Sequence, residues 1–144
     1  TLPKNGATKK QVVFTADELS QALAELKQNQ KETSELFGME RENGSVAGIV
    51  GNVLQSFGGN DLYPSVEEKA AHLLYFVIKD HPFSDGNKRI GSFLFMLYLQ
   101  QEGMAHRLNP LALTALALLI AESAPASKDL MVRLIMNLLV EPEA

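Results

Sequence analysis

Nine consecutive residues in the middle of the chain, 81 to 89, read His-Pro-Phe-Ser-Asp-Gly-Asn-Lys-Arg, and they lie between two apolar stretches at 73–78 and 93–99. Apolar stretches of this kind are normally buried, so the polar residues between them are expected in a loop at the edge of a hydrophobic core. The loop carries a base, a carboxylate, a glycine and two cations. This combination is unusual for an ordinary turn and typical of a site for phosphate and a metal ion.

Apolar spacing and capping residues predict helices on both sides of this loop. Ser65 and Glu68 form a capping box, and the helix that they begin must end near Asp80, because the residue before Pro82 disfavours helical angles. Asn87 is expected to cap the next helix, which is apolar nearly all round and therefore central. The predicted helices cover residues 15–29, 45–57, 66–80 and 88–102, and two more begin at Asn109-Pro110 and at Ser127. No stretch alternates convincingly as a strand, so the predicted class is all-α.

The same spacing assigns inward faces to two of these helices. The helix after Ser65 should bury one stripe, formed by Val66, Ala70, Leu73, Leu74 and Val77. The helix after Ser127 should turn inward Leu130, Leu134, Ile135 and Leu138.

Length and composition limit the classes of protein to which the chain can belong. Its 144 residues fit one domain, expected over residues 15–144, with residues 1–14 as a linker from an upstream region. A net charge of −4 argues against a nucleic-acid-binding surface. The absence of cysteine excludes disulfides, thiol nucleophiles and cysteine-based zinc sites. The longest apolar run, residues 111–121, is too short to span a bilayer and no signal peptide is seen, so the expected location is cytoplasmic.

The residue types in the loop suggest a specific chemistry. A helix that begins at Asn87 presents unpaired amides and the positive end of its dipole, and Gly86 allows the preceding backbone to curl around an anion. Arg89 can fork onto phosphate oxygens. Asp85 would repel a bare phosphate, but a shared Mg²⁺ resolves that conflict. His81 can take a proton from an incoming hydroxyl. Together these residues predict transfer of a phosphorus-centred group to a hydroxyl.

The nine residues resemble the signature of the Fic/Doc (Fido) proteins, H-x-F-x-[DE]-[GA]-N-[GK]-R. The resemblance implies a mostly helical fold with a short β-hairpin flap before the catalytic helix pair, and transfer from ATP to a hydroxyl side chain of a target protein. It implies that His81 is the general base and that Asp85 is the Mg²⁺ ligand. It further implies phosphate and nucleotide binding by Gly86, Asn87, Lys88 and Arg89, with Pro82 and Phe83 structural. The flap that aligns the target would comprise Gly58, Gly59, Asn60, Asp61 and Leu62.

Two positions depart from the pattern of the AMP-transferring members. Those members usually have glycine where this chain has Lys88, and a second arginine where it has Ser92. Lysine without the second arginine is similar to the Doc branch, toxins that transfer phosphate, and phosphate transfer is the favoured prediction. Gly86, in place of alanine, keeps AMP transfer open. A non-catalytic module that binds a nucleotide or a partner is the third alternative.

The resemblance also raises the question of how such an activity is restrained. Many members have an inhibitory helix with the pattern [ST]-x-x-x-E-[GN]. Neither Glu42-Asn43 nor Glu102-Gly103 fits it, so inhibition is expected from an upstream region or from an antitoxin partner. Neither nucleic acid nor a membrane is an expected partner of this domain. Outside the motif, His72 lies mid-helix among apolar residues and is expected to be a satisfied core or boundary histidine rather than a functional residue.

Overall fold

The computed structural model describes residues 16–29, 34–57 and 60–140. The elements within these ranges are α1 (Ala16–Asn29), α2 (Ser45–Leu54), β1 (Ser56–Phe57), β2 (Asn60–Asp61), α3 (Val66–Asp80), α4 (Asn87–Gln101), α5 (Pro110–Glu122) and α6 (Lys128–Leu139). Short 3₁₀ turns, Ala105–Arg107 and Pro125–Ser127, precede α5 and α6. The predicted helical class with a short antiparallel hairpin is confirmed. The expected linker and the capping residue Thr15 lie outside the described residues. No described helix has both the length and the apolar content needed to cross a membrane.

Helix α3 is the centre of the bundle. The Ser65 half of the predicted capping box forms, because the Ser65 hydroxyl accepts a 3.0 Å hydrogen bond from the amide of Glu68. The helix packs against α2, α4, α5 and α6. Every residue of its predicted apolar stripe is buried: Val66, Ala70, Leu73, Leu74 and Val77. The C-terminal end of α3, where the motif begins, is therefore fixed by neighbours on several sides.

Helix α4 packs against α3 and α5 and is closed by a Schellman turn. Gly103 adopts a left-handed φ of 75°. Its amide donates to the carbonyl of Gln100, and the amide of Met104 donates to the carbonyl of Leu99 at 2.7 Å. The following α5 begins as predicted, with the Asn109 side chain accepting a 2.8 Å bond from the amide of Ala112.

Two predictions, on the extent of α2 and on the buried face of α6, are wrong. Helix α2 ends at Leu54 instead of Phe57, because Ser56–Phe57 leaves the helix to pair with Asn60–Asp61. On α6, Leu130 and Leu138 are 55% and 42% exposed instead of buried. The buried side chains of α6 are Met131, Val132, Ile135, Met136 and Leu139. The polar residues of α6 share one side and leave a wide apolar arc. The spacing alone does not say which part of that arc is buried, and packing against α3 decides it.

Candidate functional site

The motif loop, residues 81–86, connects α3 to α4 and has a left-handed residue at each end. His81 has φ 51° and ψ 56°, and Gly86 has φ 91° and ψ 16°. Among the described residues, His81 is the only non-glycine residue with positive φ. This conformation costs an L-residue about 1–2 kcal/mol, and such strain is found where surrounding structure enforces it for function. Phe83 is fully buried and anchors the middle of the loop, as predicted.

His81 is exposed, and its ring is oriented by the backbone. Its Nδ1 lies 3.0 Å from the carbonyl oxygen of Lys79. Since a carbonyl only accepts, Nδ1 must donate, and in the neutral ring Nε2 is then the unprotonated nitrogen. Lys79 is itself fixed, because its Nζ donates to the carbonyl of Ser123 at 2.7 Å. In the neutral ring, this hydrogen bond therefore favours the tautomer in which Nε2 can accept a hydrogen bond.

Asp85 stands near the other end of the loop and is partly exposed. Its Oδ2 accepts a 2.7 Å hydrogen bond from the Ser34 hydroxyl. Within the described residues, no group of three or more His, Cys, Asp or Glu side chains is arranged to hold a metal ion. A lone carboxylate fits Mg²⁺ only in the usual nucleotide arrangement, in which phosphates and water supply the other ligands. The donor set at Asp85 is compatible with that arrangement.

A segment of the chain far from the motif in sequence pairs with the motif loop. This pairing segment, residues 34–41, makes bridges to the loop at Phe37–Asp85 and Glu40–Phe83. Three backbone hydrogen bonds support it: Gly38 N to Asp85 O at 3.1 Å, Ser84 N to Met39 O at 2.8 Å, and Arg41 N to Pro82 O at 2.8 Å. The segment has no spacing or capping signal that points to the loop, so its pairing could not be predicted from the sequence.

The pairing segment also supplies the surface on which the start of α4 rests. Phe37 is 1% exposed and lies against Gly86, where an added Cβ would come within 2.5 Å of two ring carbons. The guanidinium carbon of Arg89 lies 4.5 Å from the centre of the same ring, in cation–π contact. Glycine is therefore required at position 86 for both its φ and its lack of a side chain, and Phe37 helps to orient Arg89.

The predicted capping role of Asn87 is wrong. Gly86 occupies the N-cap position of α4, and no side chain caps the helix there. The Asn87 side chain instead closes the loop on itself, because Oδ1 accepts from the amide of Phe83 and Nδ2 donates to the carbonyl of Phe83, both at 2.9 Å. An amide side chain can satisfy a donor and an acceptor at once, and here it bonds both backbone groups of Phe83, as a neighbouring strand would.

The loop, the start of α4 and the pairing segment enclose a cleft of about 400 Å³. Its lining residues are Arg41, Ile78, His81, Ser84, Asp85, Gly86, Asn87, Lys88, Arg89 and Ala121. All the predicted base, metal and phosphate-binding residues thus lie in one cleft. Arg41 joins them, although no feature of the sequence pointed to it. Next to the cleft, burial raises the pKa of Asp80, although the charges of Lys128 and His81 oppose that shift.

Of the predicted flap, Asn60 and Asp61 form β2, Leu62 follows as an exposed residue, and Gly58 and Gly59 lie outside the described residues. The hairpin is tied to α3 by Lys69, whose side chain is fully buried. Its Nζ lies 2.9 Å from Asp61 Oδ2 and also donates to the carbonyl of Tyr63. A buried ammonium paired in this way fixes the position of the hairpin on the bundle.

A second cleft, of about 560 Å³, lies between the exit of the hairpin, α3 and α6. Tyr63 stacks on His72 there, with ring centroids 3.7 Å apart. Burial lowers the pKa of His72 and raises those of Tyr63 and Glu68. His72 Nδ1 donates to the Glu68 carbonyl at 2.8 Å, as expected for a hydrogen-bonded boundary histidine.

Comparison with known proteins identifies one family. The family model described as "Fic/DOC family" matches residues 13–99, more than half of the chain, from just before α1 to near the end of α4. No curated protein and no solved structure matches the chain.

Proposed function

Because this chain belongs to the Fic/DOC family, we propose that it is a transferase that moves a phosphate from Mg-ATP to a hydroxyl side chain of a target protein. The proposal rests on the family and on one observation: His81, Asp85 and the N-terminal end of α4 share a single cleft with cationic side chains. A base, a site for Mg²⁺ and a cationic cradle are the parts that phosphoryl transfer uses.

His81 would act as the general base. Its Nδ1 donates to the Lys79 carbonyl, so Nε2 is available to accept the proton of the attacking hydroxyl. The hydroxyl oxygen forms a bond to the γ-phosphorus while the bond from that phosphorus to the bridging oxygen breaks. ADP leaves, and the proton remains on His81 until it is released to water.

The remaining residues of the cleft would hold and neutralise the nucleotide. Asp85 would hold Mg²⁺, which offsets phosphate charge when bound. The first amides of α4 point outward with the positive end of the helix dipole, and Arg89 can fork onto phosphate oxygens. Asn87 would contribute indirectly, since its side chain holds the loop shape through Phe83.

Phosphate transfer is favoured over AMP transfer by the surroundings of Lys88. Lys88 is exposed and lines both the main cleft and a neighbouring groove of about 340 Å³. Arg89 and Ser92 also line this groove, and Ala117 and Leu118 give it an apolar wall on which a nucleoside could pack. Because Lys88 and Arg89 line both the groove and the main cleft, a nucleotide with its base in the groove would extend its phosphates into the cleft that contains His81, with the γ-phosphate farthest from the base.

Labelled ATP tests the reaction directly. The protein is incubated with Mg²⁺, a cell lysate as the source of target, and ATP that carries the radiolabel at either the γ or the α position. Phosphate transfer predicts that protein bands retain the γ label alone. Retention of the α label would instead establish AMP transfer, and Lys88→Gly is expected to move the product in that direction.

Variants separate catalysis from binding. His81→Ala should lower transfer about 10²–10⁴-fold, the usual contribution of a general base, and His106→Ala, an exposed histidine outside the cleft, serves as the matched control. Asp85→Ala should remove both transfer and its dependence on Mg²⁺. Binding of Mg-ATP without transfer of either label, unchanged in His81→Ala, would indicate a non-catalytic nucleotide-binding module and refute the proposal.

A further inference from the structure

Arg41 is a cation of the cleft that lies outside the motif. Its side chain is exposed and lines the same cleft as His81 and Lys88. It comes from the pairing segment, whereas Lys88 and Arg89 come from the first turn of α4. The cleft therefore presents positive charge from two separate elements.

The backbone around Arg41 is fixed on both sides. The Arg41 amide bonds the carbonyl of Pro82 at 2.8 Å, next to His81. The carboxylate of Glu40 accepts 3.1 Å bonds from the Ser45 hydroxyl and the amide of Val46, at the start of α2. Arg41 thus starts from an ordered position at the His81 end of the cleft. Of its two acidic neighbours in sequence, Glu40 is engaged at the start of α2 and Glu42 is exposed.

We propose that Arg41 binds the terminal phosphate of the nucleotide and so completes the cationic cradle from the side of the pairing segment. This inference depends on the proposed function. The triphosphate concentrates several negative charges beside Asp85, and a guanidinium can bind two oxygens of one phosphate at once. Because the Arg41 backbone pairs beside His81, the phosphate within its reach is the one that faces the base. In phosphate transfer that group is the γ-phosphate.

The alternative is that Arg41 is only a hydrated side chain at the rim of the cleft and binds no phosphate. In that case its removal would change nucleotide binding no more than removal of any other cation. Arg133 provides the matched control, because it carries the same charge but lines the second cleft, beside α6.

The test compares equilibrium binding of Mg-ATP and Mg-ADP to wild type, Arg41→Ala, Arg41→Lys and Arg133→Ala by isothermal titration calorimetry. Arg41→Ala should weaken Mg-ATP binding about 10- to 100-fold, the worth of a charge-assisted pair. Mg-ADP binding should change less than about twofold, and Arg41→Lys should restore part of the loss because it keeps the charge without the fork. Thermal unfolding should be the same for all four proteins, since both arginine side chains are accessible to solvent.

Three outcomes would contradict the inference in different ways. If Arg41→Ala binds Mg-ATP as tightly as wild type or Arg133→Ala does, Arg41 is not a nucleotide ligand, and the proposed function stands without it. If Arg41→Ala weakens the binding of Mg-ATP and of Mg-ADP equally, the assignment to the terminal phosphate is wrong. If wild type itself binds neither nucleotide, the proposed function fails together with the inference.

Discussion

Replacing Gly86 with alanine tests whether the motif loop and the pairing segment form one packed unit. Gly86 has a φ of 91°, and an added Cβ would lie 2.5 Å from two carbons of the Phe37 ring. Phe37 is 1% exposed, so its ring has little free space into which it can move. We therefore expect a cost that includes both backbone strain and overlap in the core.

Gly44 allows the two contributions to be separated. It is the N-cap of α2, as Gly86 is of α4, and it has a similar φ of 86°, but nothing lies within 4 Å of its ideal Cβ. For Gly44→Ala, left-handed strain of about 1–2 kcal/mol is partly offset by about 0.4–1 kcal/mol from the reduced freedom of the unfolded chain. The net cost should be about 1 kcal/mol. Gly86→Ala adds about 1–3 kcal/mol of overpacking, for a total near 2–4 kcal/mol.

Urea denaturation of the two variants measures this difference, and a double-mutant cycle with Phe37→Leu identifies its source. In the Phe37→Leu background, Gly86→Ala should cost only about as much as Gly44→Ala, which gives a coupling energy of about 1–3 kcal/mol. Equal free energies of unfolding for Gly86→Ala and Gly44→Ala in the wild-type background would refute the reasoning, because the Phe37 ring would then not restrict position 86.

Three further predictions concern the supports of the site. Asp61→Ala leaves the buried ammonium of Lys69 without its carboxylate and should cost about 3–5 kcal/mol in urea unfolding, whereas Lys69→Met, which removes the charge, should cost less. Burial lowers the pKa of His72 from 6.5, so the stability that this residue contributes is present above that value and is lost as the pH falls through the lower folded pKa. Between about pH 7.5 and about pH 5, the His72→Gln variant should therefore lose less stability than wild type, as measured by the urea midpoint at each pH. Asn87→Ala removes both bonds to Phe83 and should lower the free energy of unfolding by about 1–3 kcal/mol; an unchanged midpoint would show that the loop keeps its shape without them.

The features that could be predicted from the sequence are those set by short-range interactions. The cap at Ser65 and the buried stripe of α3 were correct because they depend on residues within one or two turns of each other. The prediction of the buried face of α6 was wrong, because the helix has a wide apolar arc and packing against α3 decides which part of it is buried. Asn87 was also assigned by a local rule, but the left-handed Gly86 takes the cap position and leaves the amide side chain to bond Phe83.

The pairing segment could not have been predicted by such rules, and the motif alone therefore does not explain how the groups of the cleft are oriented. Its bonds to the loop join main-chain atoms 41 to 47 residues apart, and every non-proline residue carries the same main-chain donor and acceptor, whatever its side chain. Yet this segment provides Phe37, which restricts position 86 and contacts Arg89, and Ser34, which bonds Asp85. The nine motif residues supply most of the polar groups of the cleft, while their orientation depends on a segment that they do not specify. Differences in nucleotide binding between proteins that share the motif should therefore arise from residues outside it, and Arg41 is the position at which this chain tests that idea.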